Sequence, residues 1–234
     1  MISRTSIQQK VYNKFSSWPL FLGVSNDDMD EIIAHTKIEF VMCKNNYLIQ
    51  SSGDKCDSLI MLTDGEMIAK TYSSTLGFSI EETLHAPWIL EPENLTGLTP
   101  VYNSTYNASE KCNIVKIKKY DFFKLMKQNE IVLYNFMNII SKTSQKNRQR
   151  LWAKKATDIF SKILQFIINH SLYPAGRKQI NIHIKILAKE IDETIKRTSK
   201  ALHKLEQQNL IVMKRSTIIV PEYQKLQSYI SSLQ

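Results

Sequence analysis

The spacing of apolar residues changes period several times along the chain, and each change marks an element. Residues 1–36 read as helical: Val11, Phe15, Trp18, Leu20 and Phe21 are apolar anchors, and Ser25-Asn26-Asp27-Asp28 opens a helix with an N-cap and an acidic first turn. From residue 39 to about 122 the pattern becomes short alternating runs rich in β-branched and aromatic residues. Turn signals at Ser51-Ser52-Gly53-Asp54, Thr63-Asp64-Gly65 and Gly77 separate them, and five of the six glycines fall before residue 100. Many short strands at this spacing predict a small antiparallel roll or sandwich. The helical period then returns. Val132, Leu133, Phe136, Met137, Ile139 and Ile140 form a broad apolar face, which Thr143, Asn147 and Leu151 continue, so one long helix is expected over 122–155. So wide a face on one helix must be buried against something, either a second copy of the helix or the chain's own roll. Ile159, Ile163, Leu164, Phe166, Ile167 and Ile168 define a further core helix; residues 172–178 read as a turn and 179–182 as a short strand.

Residues 180–220 read as helix, tight turn, helix and β-ribbon. Ile184, Leu187, Ala188 and Ile191 share one face of the first helix, and Asp192-Glu193 interrupts the pattern as a turn. Thr194 is the expected N-cap of the second helix, whose buried face is Thr198, Ala201, Leu202 and Leu205. Lys196, Ser199, Lys200 and His203 are left on one outward stripe, and all can donate hydrogen bonds. Such a stripe suits the acceptor-rich floor and phosphate walls of a DNA major groove; alone, it also fits an ordinary solvated helix face. Two short β runs around the basic turn Lys214-Arg215-Ser216 then form a wing, with residues 179–182 expected to pair with it.

Charge sharpens this picture. Of the net +9, residues 1–130 carry 13 Lys/Arg and 16 Asp/Glu, a balance of −3, whereas residues 131–234 carry 18 and 6, a balance of +12. The second half is where a polyanion would bind. Lys142, Lys146, Arg148, Arg150, Lys154 and Lys155 crowd the end of the long helix, either as phosphate contacts or as favourable cations at a helix carboxyl end. Cys43, Cys56 and Cys112 lack ligand spacing and are expected to be reduced thiols, consistent with a cytoplasmic location and with neither an iron–sulfur cluster nor any other metal. No run approaches the ~18 apolar residues of a membrane span, and no signal peptide is evident. The five histidines form no nucleophile or metal constellation and no Gly-rich phosphate loop is present, so an enzyme is not expected.

The run I-D-E-T-I-K-R-T-S-K-A-L-H-K-L-E-Q-Q-N-L-I over residues 191–211, followed by the wing, resembles the DNA-binding domain of the Crp/Fnr superfamily, the cyclic-AMP receptor protein and its relatives. Pro19-Leu20-Phe21-Leu22-Gly23-Val24-Ser25 is similar to the entry of the same family, and the turns flanking residues 58–62 are similar to those of its cyclic-nucleotide-binding jelly roll. The resemblance implies an α+β chain in three parts: N-terminal helices and β-roll over 1–121, a dimerisation helix over 122–155 and a winged helix-turn-helix over 156–234. It implies self-association through Leu133, Phe136, Ile140, Thr143, Asn147 and Leu151. A two-fold dimer would read a roughly palindromic double-stranded site with half-sites ~10 base pairs apart. Base reading falls to Lys196, Ser199 and Lys200, with Ile195 available to thymine methyl groups. Phosphate contact falls to His183, Lys185, Lys189, Thr194, Arg197, Lys214 and Arg215. Where the family has a turn glycine this chain has Asp192, and where it often has an Arg-Glu base-reading pair it has Ile195-Lys196, so a target sequence is not transferable.

The roll departs further. Nucleotide-binding relatives hold the cyclic phosphate with a G-E-L segment and an arginine about ten residues on; here the stretch is Leu90-Glu91-Pro92-Glu93-Asn94-Leu95, and Arg4 is the only arginine before Arg148. Two carboxylates without a guanidinium fork would repel a phosphate, so cyclic AMP is not the expected ligand and no cofactor is implied. Trp88, Glu91, Glu93, Tyr102, Asn103 and Tyr106 either line a pocket for a neutral or cationic ligand or are core residues of the roll. The expected function is sequence-specific DNA binding as a homodimeric transcription regulator, with RNA polymerase the further partner that activation would require. The alternative is a small-molecule sensor whose DNA binding needs a non-nucleotide effector or is nonspecific.

Overall fold

The computed structural model describes residues 15–16, 18–75 and 77–232; the anchor Val11, expected in the first helical stretch, lies outside them. The first helix described is α1 (Asn26–His35), capped as expected by Ser25, whose hydroxyl accepts from Asp28 N. Eight strands follow: β1 (Ile38–Cys43), β2 (Leu48–Gln50), β3 (Ser58–Asp64), β4 (Glu66–Tyr72), β5 (Phe78–His85), β6 (Trp88–Ile89), β7 (Ser104–Ala108) and β8 (Cys112–Lys118), with the short α2 (Pro92–Thr96) between β6 and β7. Helices α3 (Lys119–Gln128), α4 (Glu130–Trp152) and α5 (Ile159–Asn169) come next. The chain ends in β9 (Lys178–Ile182), α6 (Ile184–Glu190), α7 (Ile195–Gln207), β10 (Val212–Lys214), β11 (Thr217–Val220) and α8 (Tyr223–Ser231).

By compactness the chain falls into two units that interleave along the sequence. The first comprises Met1–Met67, His85–Tyr102 and Ala108–Leu151; the second comprises Ile68–Leu84, Asn103–Asn107 and Trp152–Gln234. A division by sequence position alone, with boundaries after 121 and 155, places the β4–β5 hairpin with the roll; compactness groups it with the C-terminal elements.

In the first unit β1-β8-β3-β6 form an antiparallel sheet in that order. The tight β3–β4 connection needs Gly65: its φ is +81°, and a Cβ there would sit 2.8 Å from the Lys111 carbonyl oxygen. All three cysteines are buried, and Cys43 and Cys112 face each other across the β1–β8 ladder. Burial raises the pKa of each thiol, that of Cys112 to about 11.

The single long helix expected over 122–155 is two helices. Asn129 leaves the helical conformation at φ −132°, and its side-chain oxygen caps α4 by accepting from Val132 N at 3.1 Å. The break lets Phe122 of α3 and Phe136 of α4 meet. Phe136, expected on the dimer seam, is only 2% exposed and packs edge-on against Phe122 of α3 at 4.9 Å, so it belongs to the subunit's own core. Among the remaining positions Leu133, Ile140 and Thr143 are half-buried, while Asn147 and Leu151 are exposed.

The second unit is built on a sheet in which β10-β11-β9-β5-β4-β7 lie side by side. Strand β9 pairs with β11 as the sequence indicates, Ile180 opposite Ile218. Its other edge pairs with β5, Phe78 opposite Ile182 and Glu82 opposite Lys178. Helices α5, α6, α7 and α8 pack on the sheet to form one apolar core, including Phe166, Leu187, Leu202, Leu205 and Leu226, and Phe78 of β5 belongs to the same core.

Candidate nucleic-acid interface

The helix-turn-helix is shaped by a left-handed turn and a buried carboxylate. Asp192, at the position where glycine is usual, adopts φ +51°, a conformation that aspartate tolerates better than most residues. Glu193 follows with its side chain 5% exposed; Oε1 accepts from Lys162 Nζ of α5 and Oε2 pairs with Arg197 Nη1 of α7, both at 2.8 Å. Lys162 also donates to the Asp192 carbonyl at 3.2 Å. The hydrogen bond from Lys162 and the charge of Arg197 hold the Glu193 carboxyl below its ordinary pKa. One carboxylate thus ties together α5, the turn and the first turn of α7.

Thr194 caps α7, its hydroxyl oxygen accepting from Arg197 N at 3.3 Å. Thr198, Ala201, Leu202 and Leu205 are buried, the face that the helical period assigns to the core. The opposite face carries exposed Ile195, Lys196, Lys200 and His203 with Ser199 half-buried among them. These five, with Lys204 and Gln207, line an open hollow of about 700 Å³. Ile195, on the first turn of α7, is 48% exposed. His203 Nδ1 lies 3.5 Å from Glu206, whose other carboxylate oxygen accepts from Met213 N of β10 and joins the end of α7 to the wing.

The wing is fixed to the start of α6. Ser216, at φ +55°, accepts from Ile182 N through its carbonyl oxygen at 2.9 Å, and its hydroxyl lies 2.8 Å from His183 Nδ1. Exposed His183 is therefore held beside the turn that carries exposed Lys214 and Arg215. Lys214 itself is the last residue of β10, so the turn is shorter than the basic run suggests. Lys185 and Lys189 project to solvent from α6, and Arg197 remains 63% exposed at its side chain despite the pair with Glu193. Sequence reading did not find Lys162, Glu193 or Ser216 as the groups that hold this surface. A lone acidic residue between two helices offers no periodic signal.

In the roll, Tyr102 is 2% exposed and donates its hydroxyl hydrogen to the Ser58 carbonyl at 3.1 Å; Tyr106 is buried as well. Both are core residues of the roll. Glu91 is buried in a left-handed conformation at φ +35° and accepts from Asn94 Nδ2, which also donates to the Val101 carbonyl at 2.9 Å. Burial raises the pKa of Glu93, with Glu91 adding to the effect. Trp88 is half-buried opposite Leu62, and Asn103 is exposed. Among the described residues no group of three or more His, Cys, Asp or Glu is placed to hold a metal ion, and no helix is long and apolar enough to cross a membrane.

No protein-family model matches the chain, and no curated protein sequence matches it. Among solved structures, the sensor domain of the transcriptional regulator DNR from Pseudomonas aeruginosa aligns over 66% of this chain and 100% of its own, with 14% identity and a TM-score of 0.51. The Thermus thermophilus Catabolite Activator Protein aligns over 93% and 100%, with 16% identity and a TM-score of 0.47. The c-di-GMP responsive global regulator CLP of Xanthomonas campestris aligns over 84% and 99%, with 13% identity and a TM-score of 0.46. At such identities the likeness is one of fold alone, and the alignment with the DNR sensor domain, over 66% of this chain, carries it.

Proposed function

We propose that the protein is a sequence-specific, DNA-binding transcription regulator that acts as a homodimer and is not controlled by cyclic AMP. The observation that carries the reading is the outward stripe of α7, Ile195, Lys196, Ser199, Lys200 and His203, on a helix whose entry is held by Glu193 and whose far end is tied to the wing. Its donors match guanine and phosphate oxygens, and Ile195 matches a thymine methyl. His183, Lys185, Lys189, Thr194, Arg197, Lys214 and Arg215 supply position along the backbone without reading bases.

The dimer reading rests on α4. Leu133, Met137, Ile140, Ser144, Asn147 and Leu151 recur at alternating intervals of four and three, the seam of a two-stranded coiled coil. Met137 and Leu151 are 52% and 84% exposed. A polar residue such as Asn147 at one seam position fixes register. Against control by cyclic AMP stand the buried Glu91 and the half-buried Glu93 in the segment where a phosphate would sit.

Selection of genomic fragments by the purified protein, then titration of the best fragment and a scrambled control across salt concentrations, tests the reading. A palindromic site bound far more tightly than the scramble supports it. Equal, steeply salt-dependent binding to both reduces the basic half to nonspecific attraction. Binding that appears only with an added metabolite would favour the sensor reading, and a ligand-dependent rise in melting temperature would report it.

A further inference from the structure

A strand from the sensor half completes the sheet of the winged helix. Strand β5 pairs with β9 over five residues, Phe78 opposite Ile182 through Glu82 opposite Lys178. Without it, β9 would keep only β11 as a neighbour and would present an open edge. At one end of this ladder Glu82 and Lys178 form an ion pair at 2.7 Å with both side chains 0% exposed. Every polar atom of the pair is used. Lys178 Nζ donates also to the carbonyls of Tyr173 and Ala175, while Glu82 accepts from Leu172 N at 2.7 Å and Tyr173 N at 3.2 Å. Burial pushes the Lys178 pKa down and Glu82 opposes it. Such a pair carries a desolvation cost that only intact geometry offsets, so removing one partner is far more disruptive than its absence from the design would be.

The other end of the ladder is packed. Phe78 contacts Phe166 of α5 at 5.2 Å and His170, the C-cap of that helix, at 5.0 Å, between ring centroids. Gly77, in the hairpin turn, lies against Ile186 of α6. Midway, Asn181 donates to Ser79 Oγ at 3.3 Å and to Glu81 Oε1 at 3.2 Å. Meanwhile the α7 stripe stays open to solvent, so this arrangement does not cover the reading face.

We propose that the β4–β5 hairpin is an integral part of the DNA-reading unit: the winged helix holds its operator affinity only while β5 stays paired with β9. The inference rests on the DNA-binding reading above and deepens it, since β5 shares main-chain hydrogen bonds with β9 and one apolar core with the helices around the reading stripe.

The test uses the full chain with Glu82→Gln, the double variant Ser79→Cys/Asn181→Cys, the triple combination and the single-cysteine controls. Ser79 and Asn181 face each other in the ladder, so oxidation links the strands. In hydrogen exchange, Glu82→Gln is expected to speed the amides of residues 78–84 and of α6 and α7 together, by about tenfold or more, because a buried ammonium is left uncompensated. Operator affinity should fall by about tenfold or more in the same variant. The oxidised double variant should bind within about twofold of its reduced form, and oxidation should restore affinity to the triple variant. Loss of operator binding on oxidation, reversed by reductant, would show instead that the ladder opens to bind DNA and would overturn the proposal. So would exchange confined to the hairpin, or faster exchange with operator affinity unchanged. Should the wild type select no site, the DNA-binding reading fails, while the exchange arm still decides whether hairpin and helix-turn-helix open as one unit.

Discussion

Glu193 shows how much one side chain organises. Its carboxyl is held below its ordinary value of 4.5 by Lys162 and Arg197. A group whose folded pKa is depressed contributes stability that is present above its unfolded value and is lost as pH falls through the folded one. Glu193→Gln should therefore lower the melting temperature at pH 7 and flatten its decline below about pH 4.5, as followed by circular dichroism across pH. The N-cap offers a second measurement: Thr194→Ala should cost about 1 kcal/mol, read in denaturant unfolding. On the reading face, Lys200→Ala should relax sequence preference at one base-pair position, by about 1–3 kcal/mol of discrimination. Lys214→Ala should weaken all sequences alike and lower the salt slope by about one unit, and the reverse pattern would refute the assignment of roles. The α7 face was legible in the sequence because burial follows a 3.6-residue period, which separates Thr198, Ala201, Leu202 and Leu205 from the stripe beside them. Lys162 and Glu193, 31 positions apart, obey no period, so their pairing appears only in three dimensions.

At the scale of elements, the strands, the helix-turn-helix and the wing were each indicated by local pattern. The long helix was legible too, but its break was not. Its apolar face runs on through the break, and hydrophobic spacing alone carries no sign that Asn129 would end one helix and cap the next. Nor does periodicity place Phe136, since an apolar residue on a helix can serve either its own core or a partner. The exposed positions of α4 carry the prediction. Met137→Asp with Leu151→Asp should convert a dimer into a monomer in sedimentation equilibrium, since two like charges would meet their copies across a two-fold seam. Phe136→Ala should instead leave the association state intact and destabilise the fold by about 3–5 kcal/mol.

Over the whole molecule, the charge asymmetry of −3 in residues 1–130 against +12 in residues 131–234 makes attraction to a polyanion a property of one half of the chain. The partnership of β5 with β9 lies at this scale, and it was hidden for a clear reason. Glu82 and Lys178 are 96 positions apart; locally Glu82 falls in the alternating β pattern while Lys178 closes a stretch that reads as a turn. Only the fold brings them together where neither is tolerable alone.

The placement of the thiols has a practical consequence. Cys43, Cys56 and Cys112 are the chain's three cysteines, all in the roll, buried and kept protonated at neutral pH by their raised pKa values, while the winged helix has none. Alkylating reagents should therefore reach them only when the roll opens. The rate of thiol trapping becomes a clock for that half alone, so a substitution in the winged helix that quickens the clock reveals how far its disturbance travels.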